Sequence, residues 1–326
     1  MQFSKELVDI FRKSEGQPLP RVTLGAVTID VHSTDSLHFA ESFEDGENST
    51  DKKGTDAVHW IASCTKFIAT IAVMQCVERG QLKLDEDIST VLPEWKNPKV
   101  LVGFDDANEP QFRPSKRVIT LRHLLTHSSG MAYVFMHPLL EKYNEVKGID
   151  RSPIVETNRE SFHPFLVFEP GEQWMYSPGI DWAGLMVERV NGGMRLGEYM
   201  QKHMFDPLSI RDITFHLEQR EDLRSRLVKL WERDGSNLKE KHDLWWPDPA
   251  VDDMGGGGIY TTVTELLKLY KGFLQGKLLR QETMDEMFRP QLENRKGLDK
   301  PGDYGLANRN AIYNAVPDDV SCNFGL

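Results

Sequence analysis

The stretch Trp60-Ile61-Ala62-Ser63-Cys64-Thr65-Lys66 sets a serine and a lysine three positions apart, where a strand-like run gives way to a helix-like one. Phe67, Ile68, Ile71, Ala72, Met74 and Val77 follow at helical spacing, and Gly80 supplies a stop. Ser63 and Lys66 therefore share one face of the first helical turn. A serine hydroxyl becomes a nucleophile when a neighbouring base takes its proton, and a lysine can be that base only while neutral. Burial and the positive end of a helix both favour the neutral amine. Two further Ser-x-x-Lys matches, beginning at Ser49 and Ser236, lie in polar, turn-like sequence without a flanking strand and helix.

The surrounding pattern predicts the elements that must position this pair. Residues 22–32 and 36–42 alternate like two strands of a hairpin, 44–54 form a polar loop, and 60–62 return to the hairpin's sheet. From about 90 to 225 the pattern is mostly helical with long loops. Thr120 caps a helix through Leu121, Leu124 and Leu125 that stops at Ser128-Ser129-Gly130. Glu169-Pro170-Gly171 is a turn, 180–190 a helix closed by Asn191-Gly192-Gly193, and 196–204 another helix. Sheet-like sequence resumes after Gly255-Gly256-Gly257-Gly258, and Thr262 with Glu265 reads as a capping box for a helix through Leu266, Leu269, Tyr270 and Phe273. Sheet, then helices, then sheet implies an α/β (α+β) fold. We expect one domain over 1–326, with an α/β lobe (about 1–89 and 226–326) and a helical lobe (about 90–225).

Composition narrows the partners. With 39 basic against 50 acidic residues in 326, the net charge of −11 argues against a nucleic-acid partner. Residues 1–20 read as an amphipathic, charged helix without the apolar core of a signal peptide, and no later run reaches membrane-spanning length. The expectation is a cytoplasmic protein. Cys64 and Cys76 fall on one predicted helix, about 18 Å apart by helical rise, too far to pair. His123 and His127 lie four apart but have no third ligand placed near them, so they read as hydrogen-bonded structural histidines.

Downstream, Trp174-Met175-Tyr176-Ser177-Pro178-Gly179 puts a phenol in a loop just before a helix, a candidate proton shuttle for Ser63. Leu124-Leu125-Thr126-His127-Ser128-Ser129-Gly130, Phe168-Glu169-Pro170-Gly171, Asp181-Trp182-Ala183-Gly184 and Gly255-Gly256-Gly257-Gly258-Ile259-Tyr260 complete an ordered set. Together these stretches resemble the serine β-lactamase/penicillin-binding-protein superfamily, and within it the class C-like esterases and the fungal lovastatin-type acyltransferases. The likeness runs from about residue 20 to the last residue.

The resemblance implies a β-lactamase/transpeptidase-like antiparallel sheet flanked by helices, with an inserted helical lobe. It implies Ser63 as the acylated nucleophile, Lys66 as its proton acceptor, Tyr176 as the shuttle, and the Ser63 N–H as one oxyanion donor. Trp174, Tyr260, Phe135 and Gly257 are the candidate substrate-lining residues. The expected partners are a small ester or thioester acyl donor, with an acyl-carrier protein as one form of it, and an alcohol or water acceptor. No metal or organic cofactor is expected.

Two departures bear on this reading. Where lactam-active members carry Tyr-x-Asn, this sequence has Tyr176-Ser177-Pro178, and proline cannot offer the side-chain amide. The family's third motif, on a strand after a Phe-Gly-Leu-like segment, is also not reached, since the sequence stops at Phe324-Gly325-Leu326. The expectation is thus a C-terminally incomplete domain lacking its inner strand and second oxyanion donor. The alternatives are a β-lactamase or D-alanyl-D-alanine peptidase and, of another class, a truncated, inactive pseudoenzyme.

Overall fold

Burial of the helix after Ser63 organises much of the structure. The computed structural model describes residues 22–28, 37–43, 54–149, 159–235, 237–242, 246–298 and 320–326. Its strands are β1 (Val22–Val27), β2 (Leu37–Phe43), β3 (Val58–Trp60), β4 (Lys99–Phe104), β5 (Pro110–Pro114), β6 (Ile213–Thr214), β7 (Leu230–Asp234), β8 (Asn237–Lys241) and β9 (Tyr260–Thr262). Its α-helices are α1 (Thr65–Glu78), α2 (Leu121–Leu125), α3 (Pro138–Lys147), α4 (Gly179–Val190), α5 (Leu196–Met200), α6 (Glu221–Arg224), α7 (Val263–Leu274) and α8 (Gln281–Phe288). The predicted N-terminal helix at 1–20 lies outside the described residues.

Two compact units result. The first comprises Met1–Ala62, Met200–Ala250 and Gly258–Leu278; the second comprises Ser63–Tyr199, Val251–Gly257 and Leu279–Leu326. In the first, β1 and β2 form the expected antiparallel hairpin, and Gly25 lies against Val263 and Leu267 of α7, where a Cβ would come within 2.7 Å of either side chain. β3 does not join that hairpin as expected. It pairs antiparallel with β9, in a sheet ordered β3-β9-β6, and its contact with the hairpin is a His59 to Thr23 side-chain hydrogen bond. Three residues make too short a strand to declare a distant partner in the sequence. Thr262 caps α7 by accepting the Glu265 N–H, but the reciprocal half of the expected box is turned elsewhere: the Glu265 carboxylate takes Lys268 and the Arg211 N–H.

The second unit carries α1, whose residues from Ile68 to Cys76 are nearly all buried, so it is a core helix and not an amphipathic surface one. It packs on α4, and α4 in turn packs on α2. The stretch expected to be mostly helical also holds a β4–β5 hairpin, whose turn is closed by Asp105 accepting the Ala107 and Glu109 N–H groups. α5 ends at Met200 and the chain continues as a π-helical turn over Gln201–Phe205, shorter as an α-helix than the 196–204 expected. Among the described residues no helix is long and apolar enough to cross a membrane.

At the α2–α4 contact a Cβ on Gly179 would lie 2.5 Å from the Leu124 carbonyl oxygen. That oxygen is backbone and cannot step aside. Gly179→Ala is expected to destabilise the protein by about 1–3 kcal/mol, as overpacking does. Denaturant midpoints at constant m-value check it, and an unchanged midpoint would contradict the contact.

Candidate active site

Local sequence accounts for the position of Ser63. Ala62 turns the chain with φ 44, a left-handed conformation uncommon for alanine and typical of strained functional turns. Ser63 then sits exposed in a 3-10 turn spanning Ala62–Cys64, directly ahead of α1. Lys66, one turn further on, points inward and is 8% exposed.

Tyr176 reaches Ser63 Oγ because three motifs are zipped together. At the end of α2, His127 (φ 57) offers its carbonyl to the Met175 N–H at 2.8 Å and its Nδ1 to the Ser177 N–H at 3.2 Å. The Ser177 hydroxyl lies 3.1 Å from the same Nδ1. Ser128 accepts the Gly171 N–H and Gly130 accepts the Val167 N–H, both at 2.8 Å. A Cβ on Gly130 would stand 2.3 Å from the Phe168 oxygen, so the loop after α2 must be glycine there to lie this close.

The result is convergence on one oxygen. The Tyr176 hydroxyl donates to Ser63 Oγ at 2.6 Å, and Lys66 Nζ donates to it at 3.3 Å. Lys66 also donates to the Gly256 carbonyl at 2.6 Å, and lies 4.6 Å from the centre of the Tyr176 ring. Gly256 comes from the glycine run at 255–258. Its N–H is held at 2.7 Å by the carboxylate of Asp181, in the first turn of α4.

Electrostatics then separates the two candidate proton carriers. Burial lowers the Lys66 amine to about 8, opposed by the charges of Asp181 and Cys64. Burial raises the Tyr176 phenol to about 12, so it stays protonated at neutral pH. Lys66 is thus within reach of its neutral form, and Tyr176 is suited to relaying a proton.

The other expected residues are placed variously. Trp174 is 1% exposed and packs behind Tyr176, its ring against Phe324 at 5.6 Å. Phe135 is stacked on Tyr133 at 5.5 Å, and Tyr133 stands 5.5 Å from Tyr176, so Phe135 is one ring removed from the phenol. Gly257 is buried beside Gly256. Tyr260 belongs to the other unit, where it pairs with Trp60 and Thr214 across the sheet. His123 caps α2 through Nδ1, and among the described residues there is no group of three or more metal-ligating side chains. Sequence reasoning quoted Asp181 within the motif set without giving it a role, and did not foresee that the Tyr133 hydroxyl donates to Asp181 Oδ2 at 3.3 Å. The available signal was a lone acid between Ile180 and Trp182 in an otherwise apolar helix start.

The family profile described as Beta-lactamase matches residues 17–307. The chain belongs to the β-lactamase family. It is 40% identical over 237 residues to the acyltransferase mokF of Monascus pilosus, covering 72% of this chain and 57% of that one. It is 42% identical over 242 residues to the lovastatin esterase of Penicillium rubens, covering 73% and 60%. The chain therefore spans little more than half the length of these relatives. Among solved structures, the LovD6 mutant of simvastatin synthase from Aspergillus terreus matches with a TM-score of 0.81 at 33% identity, over 99% of this chain and 80% of that one. The fold is the expected β-lactamase/transpeptidase-like one, and within the family the likeness runs to the fungal lovastatin-type branch.

His127 makes the site's architecture sensitive to acid. Burial first, and the Lys66 charge second, push its imidazole down to about 3, and burial lowers His123 to about 4. Between an unfolded value of about 6.5 and these folded values, the unfolded chain binds protons that the folded one does not, so stability falls as pH falls. His127→Asn, which tolerates the positive φ, is expected to flatten part of that decline. Denaturant midpoints between pH about 7 and about 4 check it, and a slope identical to the parent's would contradict it.

Proposed function

We propose that this protein is a serine acyl-transfer enzyme, an esterase or transesterase that works through an acyl-Ser63 intermediate. The observation that carries the reading is the convergence of Lys66 and Tyr176 on Ser63 Oγ, at 3.3 and 2.6 Å. In the reacting state the neutral Lys66 amine takes the Ser63 proton as Oγ attacks the ester carbonyl. Tyr176 passes its proton to the departing alkoxide and regains one from the Lys66 ammonium, which restores the neutral amine; in deacylation the incoming alcohol or water gives its proton through Tyr176 to Lys66, which returns it to Ser63 Oγ.

The relatives' names point to the substrate class. They include an acyltransferase, a methylbutanoyltransferase and a lovastatin esterase, which favours an ester of a short acyl group. The half-buried rings of Tyr133 and Phe135 beside Tyr176 provide an apolar wall that such an ester would use. An ester or thioester donor is in keeping with Pro178, which offers no amide to a lactam's side chain. An acyl-carrier protein as the bearer of the acyl group fits the same chemistry.

A fluorophosphonate followed by peptide mass spectrometry is expected to place the adduct on Ser63, and Ser63→Ala to abolish it. An adduct on another serine, or labelling that survives the substitution, would overturn the reading. Lys66→Ala and Tyr176→Phe are each expected to lower kcat by roughly a hundred- to ten-thousandfold with little change in KM. Since both serve one proton path, the double variant should be far less impaired than the product of the single losses.

The pH dependence follows from which form of Lys66 is active. The neutral amine is the base, so kcat/KM for a p-nitrophenyl ester should rise with pH through about 8 and level off above it. A profile flat from pH about 6 to about 9 would show that another group takes the proton.

A further inference from the structure

The buried carboxylate of Asp181 has no part in the proton path just described, yet it touches two of the groups that hold Lys66. One oxygen accepts the Gly256 N–H at 2.7 Å, and the carbonyl of that same glycine holds Lys66 Nζ at 2.6 Å. The other oxygen accepts the hydroxyl of Tyr133, whose ring centre lies 5.6 Å from Nζ. Both oxygens accept from donors, which favours the ionised carboxylate, while burial pushes the carboxyl up and the Lys66 charge and the Gly256 N–H oppose that rise. Asp181 is 2% exposed, so its charge is little screened by water. The fit is close: a Cβ on Gly256 would fall 2.3 Å from Asp181 Oδ2, so residue 256 must be glycine for the carboxylate to reach its N–H.

We propose that Asp181 is a positioning residue for Lys66, clamping Gly256 so that its carbonyl holds the amine toward Ser63, and supplying the buried negative charge that sets how readily that amine gives up its proton. The inference rests on the reading of Lys66 as the proton acceptor. It adds that the base works in a field that Asp181 sets, and that burial alone does not determine its strength. The groups facing Lys66 are Cys64 on the turn before α1, Tyr176, Tyr133, His127 at the end of α2, and Asp181 on α4. Arg159 in turn acts on Asp181. His127 is held neutral by its burial and Tyr176 stays protonated, so Asp181 is the buried acid of the set, pushed up by its burial and drawn back toward the carboxylate by the Lys66 charge, the Gly256 N–H, Arg159 and Tyr133.

Burial lowers Lys66 to about 8 and Asp181 opposes that lowering, so removing the carboxylate's charge must lower Lys66 further. Asp181→Asn keeps an oxygen for the Gly256 N–H and removes the charge. The acid limb of the kcat/KM profile should move down by about one pH unit or more. The plateau rate per active site should fall, because a less basic amine accepts the proton less readily, with KM little changed. Active sites are counted by fluorophosphonate labelling, so partial misfolding does not enter the rate.

The outcomes separate the two readings. Turnover undiminished in Ser63→Ala removes the parent reading, and this inference with it. If Ser63→Ala is inactive and the limb of Asp181→Asn stays where the parent's is, the inference about Asp181 alone is overturned. Should Asp181→Asn yield no countable sites, Tyr133→Phe carries the test. It removes a donor that favours the ionised carboxylate, so less negative charge faces Lys66 and the limb should move down; an unmoved or raised limb overturns the proposal.

Discussion

A single hydrogen bond, from Lys66 Nζ to the Gly256 carbonyl at 2.6 Å, fixes where the amine can be. A lysine ammonium is among the costliest groups to bury, and it stays buried only where fixed acceptors replace its water. Here the replacements are a backbone carbonyl, the Ser63 hydroxyl, two tyrosine ring faces and the field of Asp181. They compensate enough to hold the amine inside but not enough to keep it firmly charged. In the proposed acyl transfer, this imbalance is the condition that makes a serine beside it reactive.

The rest of the second unit can be understood as what that arrangement requires. α1 is buried along most of its length, so Lys66 points into packed protein at the first turn of the helix. α4 brings Asp181 to the glycine run, and the loop after α2 fixes the segment carrying Tyr176 through backbone hydrogen bonds from His127. Gly130, Gly179 and Gly256 each stand where a side chain would strike a backbone oxygen or the Asp181 carboxylate. Small residues at these points let three segments approach within hydrogen-bonding distance of one another.

How much of this could be read from the sequence depended on the range of the interaction. Ser63 and Lys66 were legible because their relation is one helical turn, and Tyr176 because a phenol in a tight loop before a helix is a local pattern. Thr120 and Thr262 were legible as helix caps for the same reason. The Lys66 to Gly256 bond spans 190 positions, and nothing local to either residue announces it. The partner of β3 was misplaced on the same account, and the β4–β5 hairpin was hidden by weak alternation between Lys99 and Pro114. The pairing that takes Tyr260 into the β3-β9-β6 sheet, in the other unit from Ser63, is likewise a long-range fact.

The central claim is that Lys66 is poised between its charged and neutral forms near neutral pH. Carbon NMR on protein grown with lysine labelled at Cε measures this directly, with the Lys66 signal identified by its loss in Lys66→Arg. The account predicts a titration midpoint at about 8, well below the ordinary lysine value. A Lys66 signal that titrates with the surface lysines, above pH about 10, would contradict it.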